Sequence, residues 1–191
     1  MLVPLSTSHA AAMLAAIDDS CFAFHPDKPA APTLPEVINY ISRVSADPAR
    51  VVFAALLRPQ QATSELFPHD PPPLRLVGIT SYLDIAPAHR NLEIGGTWIT
   101  QPHRGGTVNP DIKLTMLAHA FDTWGALRVQ LKCDARNIQS QRAITKLGAI
   151  REGVLRKHRV MPDGFVRDTV VFSIIAEEWP AVRERLLHRL Q

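Results

Sequence analysis

The 191-residue chain is 46% hydrophobic, enough for one substantial core, and no shift in composition divides it into separate domains. Its 21 Lys and Arg against 18 Asp and Glu leave a formal charge of +3, too mild for a nucleic-acid-binding stripe and better suited to a small polyanionic ligand. Cys21 and Cys133 make no disulfide framework, eight scattered histidines lack metal-ligand spacing, and neither a leader-like segment nor a long apolar run is present; these features predict a non-membrane protein of a reducing, cytoplasmic compartment.

Ser6-Thr7-Ser8 offers N-caps for an alanine-rich helix over residues 10–17. An aromatic loop, Phe22 to Pro26, separates it from a second helix opened by the capping pattern Thr33-Leu34-Pro35-Glu36, with Leu34, Val37, Ile38, Ile41 and Val44 on one face. Apolar runs at 51–57 and 74–82 read as strands, and the proline-rich stretch between them, Arg58 to Pro73, reads as an extended surface loop. A third strand at 92–99 completes an antiparallel meander.

That third strand, Leu92-Glu93-Ile94-Gly95-Gly96-Thr97-Trp98-Ile99, places Leu92, Ile94, Gly96 and Trp98 on one parity and Glu93, Gly95, Thr97 and Ile99 on the other. Adjacent glycines weaken a strand, so they mark a bulge or the close approach of a ligand, and a bulge here splays the strand and leaves amides unpaired. His103-Arg104-Gly105-Gly106-Thr107-Val108-Asn109 then leads into a helix with Asn109 as expected N-cap, Pro110 as first helical residue and Leu114, Leu117, Ala118, Phe121 and Trp124 as its apolar stripe. A glycine turn before a helix N-terminus is a phosphate-binding signal, because free amides and the helix dipole both favour an anion.

Residues 127–133 alternate as a strand, parallel to 92–99 through a right-handed crossover, and the switch from meander to parallel pair opens a ligand crevice. Asp134-Ala135-Arg136-Asn137 follows, then a short helix to Leu147 that Gly148 stops. A hairpin turning at Pro162-Asp163-Gly164 follows, with Phe172 in the core, and a last helix spans 177–190. The crevice, the aromatic loop and the hairpin are the expected walls of one site.

The motifs Leu92-Glu93-Ile94-Gly95-Gly96-Thr97-Trp98, His103-Arg104-Gly105-Gly106, Asp134-Ala135-Arg136-Asn137-Ile138-Gln139-Ser140, Ala143-Ile144-Thr145-Lys146-Leu147-Gly148-Ala149 and Gly153-Val154-Leu155-Arg156 resemble, in order and spacing, the GNAT N-acetyltransferase superfamily, and within it the RimJ/RimL-type branch. The resemblance covers nearly the whole chain. It implies a single α/β (α+β) domain over residues 1–191: a central mixed, mostly antiparallel twisted sheet, splayed between its two central parallel strands and flanked by helices. It also implies acetyl-CoA as co-substrate, no metal, and a primary amine as acceptor: a protein N-terminus or a small molecule.

Carried onto matching positions, the resemblance gives the amides of Arg104, Gly105, Gly106, Thr107, Val108 and Asn109 to the pyrophosphate. Trp98, Ile99 and Thr100 fall along the pantetheine, and Asn137 and Ser140 face the thioester. Arg136, Arg142 and Lys146 are candidates for the 3′-phosphate of CoA. Thr107 departs from the pattern, standing where the family usually has a glycine; if that position required φ > 0, either Gly106 would take the strained role or CoA affinity would fall.

Acetyl transfer requires a neutral amine, and free lysine titrates at about 10.4 and an α-amino group at about 8, so a positioned base assists. Glu93 is the candidate base, acting directly or through water. Relatives commonly protonate the departing thiolate with a tyrosine on the helix after Asn137; this chain has only Tyr40 and Tyr82, so Ser140 is the candidate acid. Phe24, His89, Arg156 and His158 are the expected acceptor-side residues. A non-catalytic acyl-CoA-binding or sensing protein on the same fold is the alternative, and nucleic-acid binding is disfavoured because no basic stripe carries interleaved aromatics. The sequence leaves a homodimer open.

Overall fold

The structure is a computed structural model and describes residues 1–58 and 74–191. The expected proline-rich loop therefore lies almost wholly outside the described residues. Seven described strands form one sheet: β1 (Leu2–Pro4), β2 (Arg50–Leu57), β3 (Arg75–Ala86), β4 (Asn91–Ile99), β5 (Arg128–Asp134), β6 (Ile150–Val160) and β7 (Val166–Ile175), in the spatial order β1-β2-β3-β4-β5-β7-β6. Only β4 and β5 pair in parallel, giving the mixed, mostly antiparallel sheet expected from the sequence. The strand β1 was not legible, because three residues are too few for a periodic signal.

Helices α1 (Ala10–Ala16), α2 (Leu34–Ala46), α3 (Val108–Ala118), α4 (Ile138–Leu147) and α5 (Trp179–Leu190) flank the sheet. Two buried clusters hold them. One joins Met116 and Leu117 of α3, Leu147 of α4 and Leu186 of α5 to Ile94, Leu131 and Phe172 of the sheet; the other joins Met13 of α1 and Val37 and Ile41 of α2 to Ile79 and Trp98. The α2 face differs in detail from expectation: Tyr40 is buried with Val37, Ile41 and Val44, whereas Leu34 and Ile38 are exposed, and Thr33 caps without a side-chain bond.

α3 begins two residues earlier than its sequence signals suggest. Thr107, not Asn109, is the N-cap, so Asn109 and Pro110 lie within the first turn. At its other end a five-residue π-helical turn, His119–Thr123, continues the helix. The wider turn rotates the following residues, and Trp124, expected on the buried stripe, is 45% exposed while Ile112, Met116 and Ala120 are buried.

The two strand glycines do build a bulge. β3 and β4 pair Ile79 with Trp98 and then Ser81 with Gly95, so Gly96 and Thr97 together oppose Thr80. Gly96 takes φ +57, a conformation that costs residues with a Cβ. The extra residue reverses the strand's alternation: Leu92 and Ile94 enter the α3–α5 cluster, Trp98 crosses to the α1–α2 cluster, and Ile99 returns to the first. The simple parity expected for 92–99 holds only up to Gly95.

Candidate active site

β4 and β5 pair at Asn91↔Arg128, Leu92↔Val129 and Glu93↔Gln130 and then diverge. Beyond Glu93, main-chain groups of β4 that face β5 have no strand partner, and a cavity of about 660 Å³ fills the opening. Its walls are β4 from Glu93 to Ile99, the end of β5, Asn109 and Lys113 of α3, the start of α4, and the 20–27 segment. The bulge and the splay therefore produce one site.

The turn before α3 contributes a row of free donors. The amide of Arg104 is taken by the Gln101 carbonyl, but those of residues 105–109 have no acceptor among the described residues. Gly105 carries the positive φ, +79, while Thr107 sits at φ −83, ψ −14. The threonine is therefore unstrained, and the role expected of Gly106 belongs to Gly105. The Arg104 side chain is occupied by protein, with Nε donating to the Ile99 carbonyl at 2.7 Å and a terminal nitrogen to Ser20 Oγ at 2.8 Å. It ties the turn to the loop that Asp18 caps.

At the bulge, Glu93 is 7% exposed and its carboxylate pairs with Lys132 at 2.7 Å; Asp84 approaches the same ammonium at 3.4 Å. Gly95 leaves room for this carboxylate, since a Cβ there would stand 2.6 Å from Glu93 Oε1. Lys113 enters from α3, only 5% exposed, and donates from Nζ to Thr97 Oγ1 at 2.9 Å. Desolvation lowers its pKa from 10.5 to about 7, against the opposing pull of Glu93. His25 bonds through Nε2 to the Thr97 carbonyl at 3.1 Å, which fastens the 20–27 segment to the bulge; desolvation pushes its pKa down to about 4. A neutral imidazole is the donor in that bond.

On the other wall, Asn137 caps α4 by accepting the Ser140 amide at 2.9 Å on Oδ1. This fixes the side chain of a residue that lines the cavity and leaves its Nδ2 without a partner among the described residues. Ser140 lines the cavity beside Cys133, whose thiol pKa is raised by burial. Ile144, one turn further along α4, also lines the cavity, and no tyrosine stands on this helix.

The acetyltransferase (GNAT) domain family matches residues 1–150. The chain belongs to this family. It is 31% identical over 100 residues to YoaA of Bacillus subtilis (strain 168), an uncharacterized N-acetyltransferase; the match covers 52% of this chain and 55% of that protein, about half its length. A crystal structure from T. thermophilus, provisionally assigned as an acetyltransferase, is 37% identical with a TM-score of 0.85 and covers 100% of this chain and 93% of its own. RimJ of Mycobacterium smegmatis, solved with CoA-disulfide, shares the fold at 20% identity and a TM-score of 0.74, over 98% of this chain and 87% of that one.

Of the residues expected to form the GNAT site, Glu93, Trp98, Ile99, Arg104, Gly105, Asn109, Asn137, Ser140 and Phe24 line the cavity. Gly106 and Thr107 belong to the adjoining turn, and Val108 opens α3. Thr100 is buried outside the cavity, its amide on the Val77 carbonyl. Other expected residues stand apart. Arg142 and Lys146 point away along the outer face of α4, beside a shallow second depression, and Arg136 grips Asp134 at 2.7 Å. His89 lies in an exposed turn between β3 and β4, and Arg156 on the exposed outer strand β6. His158 does not line the cavity itself but bonds through Nδ1 to Thr169 Oγ1 at 3.1 Å, the hydroxyl that also accepts from the cavity-lining Arg167. Sequence reasoning missed Lys113, His25 and Arg167. Lys113 sits among apolar residues of α3 and so carried one usable signal, a lone cation on a buried helix.

Among the described residues no helix is long and apolar enough to cross a membrane, and no group of three metal-ligating side chains gathers.

Proposed function

We propose that this chain is an acetyl-CoA-dependent N-acetyltransferase of the RimJ/RimL-like type, acting on a primary amine. The observation that carries the reading is the run of unpaired amides at 105–109, opening onto a splayed strand pair. Five free donors at the N-terminus of an eleven-residue helix suit a pyrophosphate, and the unpaired edge of β4 suits the amides of a pantetheine arm. The residues present thus fit CoA, with 105–109 holding the pyrophosphate and Asn137 Nδ2 reaching the arm. Bound there, acetyl-CoA supplies an activated acyl thioester.

This chain's own residues position and deprotonate the acceptor. Glu93 accepts the amine proton on its carboxylate, directly or through one water, while Lys132 and Gly95 fix the geometry of that carboxylate. Main-chain donors at the bulge face the oxygen on which charge develops. Ser140 holds a proton for the departing sulfur. The packed 20–27 segment, fastened by His25, excludes water from one side of the opening.

The test is calorimetric titration with acetyl-CoA, followed by thiol release with an amine panel, on wild-type protein and Glu93→Gln. Micromolar binding by both proteins is expected, with turnover reduced by about 10²- to 10⁴-fold in the variant. Absence of binding near millimolar acetyl-CoA in folded protein would refute the reading. Binding without turnover on a broad panel would instead identify an acyl-CoA sensor.

A further inference from the structure

The hairpin side of the cavity carries two positive charges that the acetyl-transfer reading leaves unused. Arg167 of β7 is 6% exposed yet lines the cavity. Its Nε donates to Thr169 Oγ1 at 3.0 Å and a terminal nitrogen to the Phe24 carbonyl at 3.4 Å. Both partners are neutral acceptors, and among the described residues no carboxylate lies within ion-pair distance. Asp134 and Glu93 stand nearby, but beyond ion-pair distance and each bound to another cation, so the buried guanidinium is only partly compensated and an anion in the cavity would relieve that cost.

Arg159 stands directly opposite Arg167 in the β6–β7 pair and also lines the cavity. Like charges on directly opposed residues repel, so the pairing is unfavourable unless something negative sits between them. The arrangement is built rather than loose. β6 inserts two extra residues between Leu155 and Arg159, with Lys157 at φ +49, and the Lys157 amide is pinned to Asp168 Oδ1 at 2.7 Å. This kink returns Arg159 to the face of Arg167.

The carboxylates around the cavity are already engaged. Asp27 meets Arg43 and Arg50, Glu93 and Asp84 share Lys132, and Asp134 is held by Arg136. What remains without a direct ion pair at the hairpin end is positive, Arg167 and Arg159. The phosphates of CoA have their own donors at 105–109, after β4 and across the splay from β7.

We infer that the acceptor is a primary amine that also carries a carboxylate, which the Arg167 and Arg159 guanidinium groups bind at the hairpin end of the cavity while the amine is presented to Glu93. This rests on the acetyl-transfer reading and narrows it. A polyamine brings only positive charge to the same end and is rejected by it. Free amino acids and peptides with an acidic residue near the N-terminus share the required chemistry.

The experiment compares kcat/KM for thiol release on three matched sets: amino acids against their carboxamides, peptides with an acidic or a neutral second residue, and spermidine. Wild-type protein prefers the carboxylate member by about 10- to 100-fold, the value of a charge-assisted bond. The preferred set tells free amino acid from peptide. In Arg167→Met the preference collapses toward unity through KM, Arg167→Lys restores part of it, and Arg159→Ala, an exposed change that spares the core, lowers it as well. Equal use of carboxamides, good turnover of spermidine, or a preference unmoved in both Arg167→Met and Arg159→Ala overturns the proposal. If no amine turns over, the acetyl-transfer reading fails separately. Calorimetric binding of the same carboxylate and carboxamide pairs then decides the anion site alone: preference for the carboxylate, lost in Arg159→Ala, sustains it, and equal or absent binding overturns it.

Discussion

Replacing Lys113 with methionine is predicted to stabilise the protein, and the gain should shrink as pH rises. The native ammonium is only 5% exposed, and its pKa falls from 10.5 to about 7. Because the unfolded chain holds this proton more tightly, the group opposes folding fully below the native pKa; the penalty is relieved between about pH 7 and 10.5 and is absent above both values. That fall in pKa, at about 1.36 kcal/mol for each tenfold change in proton affinity, makes the penalty about 4 to 5 kcal/mol near pH 6, falling to about 2 kcal/mol near pH 9. Methionine keeps the length of the side chain without the charge but forfeits the bond to Thr97 Oγ1, worth about 1 kcal/mol. The net expectation is a gain of about 3 to 4 kcal/mol near pH 6 that declines by some 2 to 3 kcal/mol by pH 9. Urea unfolding of both proteins at four pH values measures it, with the difference between them cancelling groups common to both. A pH-independent difference, or a variant less stable at pH 6, would show that Lys113 is not held near neutrality by burial.

Two further substitutions test the turn and the opposite wall. Gly105→Ala forces a Cβ into φ +79 and should weaken acetyl-CoA binding by about fivefold or more, whereas Thr107→Gly, at a position already in an ordinary conformation, should change it by less than about twofold. The reverse ranking in a titration would return the strained role to residue 107. Ser140→Ala should lower kcat by about tenfold near pH 7 and less at higher pH, where the thiolate departs with less help. A ratio of rates that stays flat across pH would remove Ser140 as the proton donor.

Much of the fold was legible because it rests on local patterns. The runs at 51–57 and 127–133 have strand length and composition, Pro162-Asp163-Gly164 marks a hairpin, and Gly148 stops α4 with φ +107. Gly95-Gly96 announced a bulge, and a bulge appeared. What depends on counting residues across that bulge did not follow from the sequence: one extra residue moves Trp98 to the opposite core, and one π-helical turn moves Trp124 to the surface.

For the site, the sequence by itself determined the residues whose role is carried by the backbone or by neighbours along the chain. The free amides before α3, Asn137 bonded to Ser140, and Glu93 beside Gly95 all depend on separations of a few positions. Tertiary structure alone decided which distant charges meet. Lys132 reaches Glu93 because β4 and β5 still touch at that level, Lys113 reaches Thr97 because α3 packs against the bulge, and Arg167 faces Arg159 through a two-residue insertion in β6. His89 and Arg156 were expected in the pocket from their elements alone, but they stand on an exposed turn and an exposed strand, while His158 is held at Thr169 beside Arg167 without lining the cavity. Long-range electrostatics depends on distances between segments far apart in the chain. Periodicity and spacing encode only which residues are near neighbours along it.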